Sequence, residues 1–385
     1  MLHDWKEMNV LRRDFVVREP LLVVILVLIT IVFSTLTHAY SRAYDRRRNQ
    51  LGQQWFAEGN AELQKNKPAA AVDAFRTSLI YDSRNWDYRL HLAEALSQVG
   101  QTRQALNYYQ SLWQLNPKNG VVNLHLAEFA VRSGQVADAE RYFSGAIFGD
   151  WPNNSADHRR EALFELINFY LQRGDTGQAE SQLIILSANL PEDPVLHSRV
   201  ADLYAHVGDY QRALDQYRRA FHLDPKYFPA LFGAGEAAFH VGDYHAAETY
   251  LTRASHEDAA GPEVKNLLQI TQAASALNPF ERGLRESEKI QRVLRSFQIA
   301  SGRLDACSSR SGGSLPSKLA PLQQRRNQWK PNANPRYLSR HPDQIDPLFV
   351  IATEIEKQSQ SVCGEPAAED SALLALANSH PLDEK

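Results

Sequence analysis

Residues 206–210 read HVGDY, and residues 240–244 repeat the same five letters 34 positions later. A second pair shows the same period, because HLAE at residues 91–94 returns at residues 125–128, again 34 positions on. A constant period of this length indicates a chain built from stacked, similar units rather than one mixed core. The repeat therefore decides the fold, and other segments are placed relative to it.

Six units can be aligned on this period over residues 52–261. Each unit carries an alanine at one position of its second half: Ala71, Ala105, Ala139, Ala179, Ala213 and Ala247. Its first half also carries a mostly small residue, and only the fourth is bulky: Gly59, Ala93, Ala127, Ile167, Ala201 and Gly235. This pattern resembles the tetratricopeptide repeat (TPR), a helix-turn-helix unit with small residues where its helices touch. The resemblance implies an all-α fold, an α-solenoid of about six repeats.

The register shifts once, because Gly134 and Gly174 are 40 positions apart instead of 34. Residues 151–159 therefore carry an insertion, which we expect to form a loop.

The segment before the repeats predicts one membrane-spanning helix. Residues 1–19 form a short polar tail, and residues 20–41 contain an uncharged run long enough to cross a bilayer. A cleaved signal peptide is the alternative, although its apolar core is ordinarily shorter. Positive charges balance on the two sides, so they do not set the orientation. Resemblance to bacterial membrane-anchored repeat proteins favours the inner membrane, with the repeats outside the cytoplasm.

Two further regions follow the repeats. Residues 262–304 predict a capping helix and an amphipathic helix, and residues 281–340 hold 13 Lys and Arg against 4 Asp and Glu. The amphipathic helix either packs on the array or lies on a membrane surface. Residues 305–385 predict a linker rich in Pro, Ser and Gly, followed by a small helical tail. Cys307 and Cys363 both fall there, and outside the cytoplasm they could form a disulfide.

Several classes of function lack support in the sequence. A net charge of −3 gives no field for nucleic acid. Metal-ligand spacings, phosphate-binding loops and catalytic motifs are missing, so we predict no cofactor, no metal and no enzyme activity. An enzyme with an unrecognised site in the C-terminal region is the remaining rival.

Partner binding is expected on the first helix of each unit, which lines the concave surface in the family. An apolar row lies four residues into each unit: Phe56, Leu90, Leu124, Phe164, Ser198 and Phe232. Acids and amides stand one turn further on: Asn60, Glu94, Glu128, Asn168, Asp202 and Glu236. We therefore predict a protein or peptide partner of apolar and basic character. The alternative is that these residues pack against neighbouring helices or the chain's own basic segment.

The sequence thus predicts a membrane-anchored scaffold for protein binding. A structural or accessory subunit of an envelope complex is the alternative within the same fold, because fold alone does not determine function.

Overall fold

The computed structural model describes residues 4–310 and 315–379, with side chains from residue 22 onward. The chain divides into two compact units, residues 1–166 and 167–385, which are described separately below. Every regular element of the described residues is a helix, so the predicted all-α class is confirmed.

The first unit holds a long N-terminal helix and the first repeats. Its helices are α1 (Asp4–Gln64), α2 (Pro68–Tyr81), α3 (Trp86–Gln98), α4 (Thr102–Leu115), α5 (Gly120–Arg132), α6 (Val136–Ile147) and α7 (Ser155–Gln172), the last of which continues into the second unit. The repeats of the second unit contain α8 (Thr176–Ser187), α9 (Pro194–His206), α10 (Tyr210–Leu223), α11 (Phe228–Val241) and α12 (Tyr244–Ala254).

Helix α1 joins the apolar segment to the first repeat without interruption over 61 residues. Its stretch from Leu22 to Tyr40 is exposed on every side, and it belongs to the one described helix long and apolar enough to span a membrane. The hydroxyls of Thr30 and Thr35 donate to backbone carbonyls one turn earlier, both at 2.8 Å. Such bonds satisfy the hydroxyl groups within the helix itself.

Glycine and alanine determine the geometry of each repeat. In five of the six units the chain adopts positive φ at a glycine between the first and the second helix: Gly100, Gly134, Gly174, Gly208 and Gly242. The six alanines of the second helices are fully buried. At Gly59 a Cβ atom would lie 2.4 Å from the Phe75 ring, so the first pair of helices approaches too closely for a larger residue.

The insertion after the third repeat is shorter as a loop than predicted. Helix α7 begins at Ser155, so the second half of the expected loop is helical. The preceding turn is fixed, because the Asp150 N–H donates to the Lys118 carbonyl at 2.7 Å and the Trp151 indole donates to the Ala146 carbonyl at 2.9 Å. These bonds pin the inserted residues against the third repeat.

The second unit ends in a helical region that we call the C-terminal bundle. Its helices are α13 (Pro262–Leu277), α14 (Glu286–Arg310), α15 (Ala320–Trp329), α16 (Pro335–Arg340), α17 (Ile345–Ser359) and α18 (Ala368–Ser379), with 3₁₀ turns at Ser317–Leu319 and Pro342–Gln344. Val264 of α13 is buried with Leu231 and Ala254 of the last repeat. The Tyr244 hydroxyl and Ser379 of α18 share a hydrogen bond of 2.9 Å, so both ends of the bundle cover the last repeat.

The prediction of a linker beginning at residue 305 is wrong, because the described residues of this region are mostly helical. Helix α14 runs through Arg310, and Leu319, Leu322 and Leu338 are almost fully buried in one core with α14, α17 and α18. Prolines begin helices α15 and α16 instead of interrupting them, because the first turn of a helix needs no N–H from them.

The basic residues of residues 281–340 mostly pair with carboxylates of the same bundle. The pairs are Arg285–Glu288, Lys289–Asp346, Arg292–Glu281, Arg295–Glu369, Arg303–Asp370, Arg325–Glu354 and Arg326–Asp305. The apolar face of α14 packs in the bundle core, which favours the packed interpretation over a membrane-surface helix.

Arg303 lies at the centre of a buried polar cluster. Its guanidinium donates to Asp370 at 3.0 Å, to the Ser359 hydroxyl at 3.1 Å and to the Gly364 carbonyl at 3.0 Å. The fully buried Glu356 lies 3.2 Å from its Nε. Helix α14 thereby holds both the end of α17 and the start of α18.

The stability of the bundle should fall as pH rises from about 5 to about 8. Burial, with a smaller contribution from Asp370, raises the pKa of Glu356 to about 8 from an ordinary value of 4.5. Between these values the folded protein binds more protons than the unfolded chain. The stabilisation is therefore complete below the unfolded pKa and is lost as pH rises through the folded one.

Hydrogen exchange of the α17 amides across this pH range would measure the slope of the bundle's stability against pH. Glu356→Gln should flatten it, whereas Glu354→Gln, on the same helix but partly exposed, should leave it unchanged. Equal slopes in the parent and the Glu356 variant would contradict the assignment.

Candidate functional site

A cavity of about 400 Å³ opens on the first unit between helices α3, α4 and α5. Helix α3 contributes Glu94, Ser97 and Gln98, and α5 contributes a larger set. The full lining is Glu94, Ser97, Gln98, Thr102, Tyr109, His125, Glu128, Phe129 and Arg132. Helices α3 and α5 are the first helices of consecutive repeats, so the cavity lies on the surface where we predict partner binding.

Aromatic rings form the apolar wall of this cavity. The Tyr109 ring centroid lies 4.8 Å from that of His125 and 5.9 Å from that of Phe129. Tyr109 is fully buried. Burial raises the pKa of the Tyr109 hydroxyl above its ordinary range, and the Glu94 carboxylate adds to that shift. The phenol is therefore neutral and available only for hydrogen bonding.

Charged groups surround the opening. Glu94 and Glu128 are both half-buried, and His125 Nδ1 lies 3.4 Å from Glu128 Oε2. The Arg132 guanidinium lies over the Phe129 ring, 4.6 Å from its centroid. Two carboxylates against one guanidinium give the cavity an acidic character, and Arg132 shows that its aromatic wall accepts a cation.

The predicted apolar row of the first unit is mostly covered. Leu90 and Phe164 are buried, so the prediction that they line an open groove is wrong. Phe56 is half-buried and its ring packs against those of Tyr88 and His91, with centroids 5.0 and 4.9 Å apart. Both rings belong to helix α3, so a neighbouring helix covers Phe56, as the alternative interpretation stated. Leu124 is half-buried.

The predicted polar row remains accessible. In the first unit Asn60 is half-buried, like Glu94 and Glu128. In the second unit Asn168, Asp202 and Glu236 are exposed.

Two predicted residues of the second unit already have protein partners. Asp202 accepts a hydrogen bond of 2.6 Å from the Tyr217 hydroxyl, whose pKa is raised by burial and by this carboxylate. Phe232 is half-buried and stacks on Phe228 with ring centroids 6.2 Å apart. Buried Ser198 offers no surface either.

Seven of the nine cavity residues were not predicted as site residues: Ser97, Gln98, Thr102, Tyr109, His125, Phe129 and Arg132. Tyr109 belongs to a second helix, and Phe129 and Arg132 follow Glu128 outside the two rows considered. His125 was visible through the repeated HLAE sequence, but its surroundings depend on how adjacent repeats stack. Among the described residues, no group of three potential ligands could hold a metal ion.

Cys307 and Cys363 form a disulfide in the C-terminal bundle, with Cα atoms 5.0 Å apart. The bond joins α14 to the turn after α17, one helical turn beyond Arg303. The Arg310 guanidinium donates to the Cys363 carbonyl at 2.8 Å and supports the same turn.

Comparisons with known proteins agree with this architecture. A family described as tetratricopeptide repeat matches residues 96–147 and 204–270, and a second family of the same description matches residues 56–119.

Several solved structures are similar to this chain at low sequence identity. The chain is 17% identical to PilW, described as a widely conserved type IV pilus biogenesis factor, over 57% of this chain and 99% of that one, with a TM-score of 0.42. The chain is also 17% identical to PilF of Pseudomonas aeruginosa, over 57% of this chain and 96% of that one, with a TM-score of 0.42. The C-terminal part of a TPR repeat-containing protein from Cytophaga hutchinsonii is 12% identical over 82% of this chain and 98% of that one, with a TM-score of 0.45. Together with the buried alanines and glycine turns, the family matches establish that this chain contains tetratricopeptide repeats.

Proposed function

We propose that this protein is a single-pass, membrane-anchored scaffold that binds a protein or peptide partner at the cavity between α3, α4 and α5. Tetratricopeptide repeats generally act as non-enzymatic scaffolds, which supports a binding role. The observation that carries the proposal is the cavity itself, because it combines an aromatic wall with two carboxylates on consecutive repeats.

The anchor is supported by helix α1. Its apolar stretch is exposed on all sides, and a stretch of that length and composition suits a bilayer core of about 30 Å. Because α1 continues directly into the first repeat, an inserted helix would hold the array at a fixed position near the membrane.

The disulfide supports a location of the repeats outside the cytoplasm. Cys307 and Cys363 are paired in the structure, and such bonds persist in oxidising compartments while reducing ones keep thiols free. We therefore place the array on the outer side of a bacterial inner membrane, with the N-terminus in the cytoplasm.

The cavity favours a basic side chain of the partner. A lysine or arginine could bring its charge between Glu94 and Glu128, with its methylene groups against the half-buried His125 ring. Apolar neighbours in the same segment would supply additional contact with the rings.

Peptides selected on the full-length protein should be enriched in Lys and Arg beside apolar residues. The measurement is selection from a randomised peptide library on protein held in lipid nanodiscs, followed by sequencing. In Glu94→Lys/Glu128→Lys the enrichment should reverse toward Asp and Glu, because the charge around the cavity changes sign. A preference of about tenfold corresponds to 1.4 kcal/mol of binding free energy.

A matched control variant changes the net charge equally at exposed positions outside the cavity. Asp73→Lys/Glu140→Lys serves this purpose, since both carboxylates are exposed on second helices. It should select the same peptides as the parent. Identical selection by the parent and the cavity variant would refute the cavity as the binding site.

A further inference from the structure

The first unit exposes large apolar side chains at one end of its repeats. Between residues 65 and 166 there are three of them: Ile80 is 79% exposed, Leu115 is 64% exposed and Phe148 is 81% exposed. Each stands in the last turn of a second helix or directly after it, in α2, α4 and α6 respectively. We call these three residues the apolar rim. Isolated exposed apolar residues are common, but here all three occupy equivalent places.

Helix α1 determines which way this end of the repeats faces. A Cβ atom at Gly52 of α1 would lie 3.3 Å from the Cβ of Tyr81, so α2 ends beside the point where α1 enters the first repeat. The hydrogen bond from the Asp150 amide to the Lys118 carbonyl places the residues after α6 beside those after α4. The rim is therefore at the end of the unit from which the apolar segment of α1 extends.

The distance to the bilayer follows from helix geometry. Gly52 is twelve residues beyond Tyr40, which ends the apolar stretch. At 1.5 Å per residue the rim begins about 18 Å beyond that stretch, and the headgroup layer fills roughly the first 5 to 7 Å. Spanning helices tilt by about 20° on average and by up to about 40°. If α1 tilts toward the array, the third repeat moves most toward the bilayer, because it is farthest from α1.

We propose that the apolar rim rests on the bilayer surface into which α1 inserts, with Phe148 deepest and Ile80 shallowest. This inference depends on the proposed anchor. Charge complementarity supports the lipid surface as the occupant, because Arg46, Arg47 and Arg48 of α1 are exposed between the apolar stretch and the rim. Apolar side chains beside such cations suit the interface of a membrane with anionic lipids.

Depth-dependent quenching of a fluorescent probe tests the proposal on the full-length protein in nanodiscs of phosphatidylethanolamine and phosphatidylglycerol. The native cysteines are paired, so a probe attaches to a single introduced cysteine. Phe148→Cys carries the probe at the rim, and Ala137→Cys carries it on an exposed residue at the opposite end of α6. Headgroup spin labels should quench the probe at position 148 several-fold more than the probe at position 137. Equal quenching at the two positions would overturn the proposal and favour a protein occupant.

A second measurement keeps the rim's own side chains in place. A probe on Lys118→Cys, next to the rim, should be quenched more than the probe at position 137. This difference should disappear when Ile80→Asp, Leu115→Asp and Phe148→Asp are combined. Unchanged quenching would show that the rim does not hold the array to the lipid.

An additional probe on Leu28→Cys separates the two hypotheses. Quenching there by spin labels deep in the acyl chains tests the anchor alone. If the probe at position 28 is not quenched, the anchor is wrong. If it is quenched but positions 148 and 137 do not differ, only the rim proposal is wrong.

Discussion

Replacing Arg303 by methionine is expected to lower the free energy of unfolding of the C-terminal bundle by about 3 to 5 kcal/mol. The side chain of Arg303 is only 6% exposed, and its removal takes the guanidinium away from the fully buried Glu356 and from Asp370, which keeps the Ala367 N–H as a donor. The main cost is the loss of several hydrogen bonds and an ion pair from a site that is largely shielded from water. Chemical denaturation followed by hydrogen exchange in α14, α17 and α18 would measure the change.

The control for this variant is Arg295→Met on the same helix. Arg295 also pairs with a carboxylate, Glu369 at 3.0 Å, but both side chains are about half exposed. Solvent screening limits such a pair to about 0 to 1 kcal/mol. Adding Glu356→Leu to Arg303→Met should recover part of the loss, because it removes the fully buried acid that Arg303 contacts. Similar losses in both single variants would show that burial of the Arg303 cluster has no special importance.

Removing the disulfide by Cys307→Ser/Cys363→Ser should destabilise the same bundle by about 4 kcal/mol in the chain-entropy model. The bond closes a segment of 56 residues, and opening it increases the freedom of the unfolded chain. Reducing agent should have the same effect on the parent and none on the variant. Hydrogen exchange in α3, α4 and α5 should stay unchanged, since those helices belong to the other unit.

The state of these cysteines also bears on the compartment. Alkylation of protein taken directly from its native membrane should find no free thiol. Free thiols at both positions would contradict the disulfide and weaken the proposed location outside the cytoplasm.

The repeats could be predicted from the sequence because their constraint recurs. Ala213 meets the same requirement as five other alanines, so one close helix contact appears six times. The positive φ of Gly208 and Gly242 follows the duplicated HVGDY in the same way. The fold class could therefore be predicted without knowledge of the tertiary contacts.

The candidate site was predictable only in part. The period identifies equivalent residues, but it does not show which side of a helix its neighbours cover. Leu90 and Phe164 share the position of half-buried Leu124, yet both are buried. Glu94 and Glu128 stay accessible because ionised carboxylates are costly to bury, so their polarity was the more reliable signal. Tyr109 joins them only through the stacking of adjacent repeats.

The C-terminal bundle was the least predictable region. Its core takes single residues such as Leu319 and Leu338 from segments that are otherwise polar. Sparse apolar positions of this kind give no periodic signal. The Arg303 cluster joins residues about 50 to 70 positions apart, and no local pattern contains that information.

Site-specific photocrosslinking in the native membrane tests the central claim most directly. A photoreactive residue at Gln98, which lines the cavity, should capture a defined partner, and Glu94→Lys/Glu128→Lys should abolish that product. The same residue at Gln110, exposed on α4 and outside the cavity lining, should capture none. Capture from Gln110 alone, insensitive to the two charge reversals, would contradict the cavity as the binding site and favour a subunit that makes its contacts through the second helices.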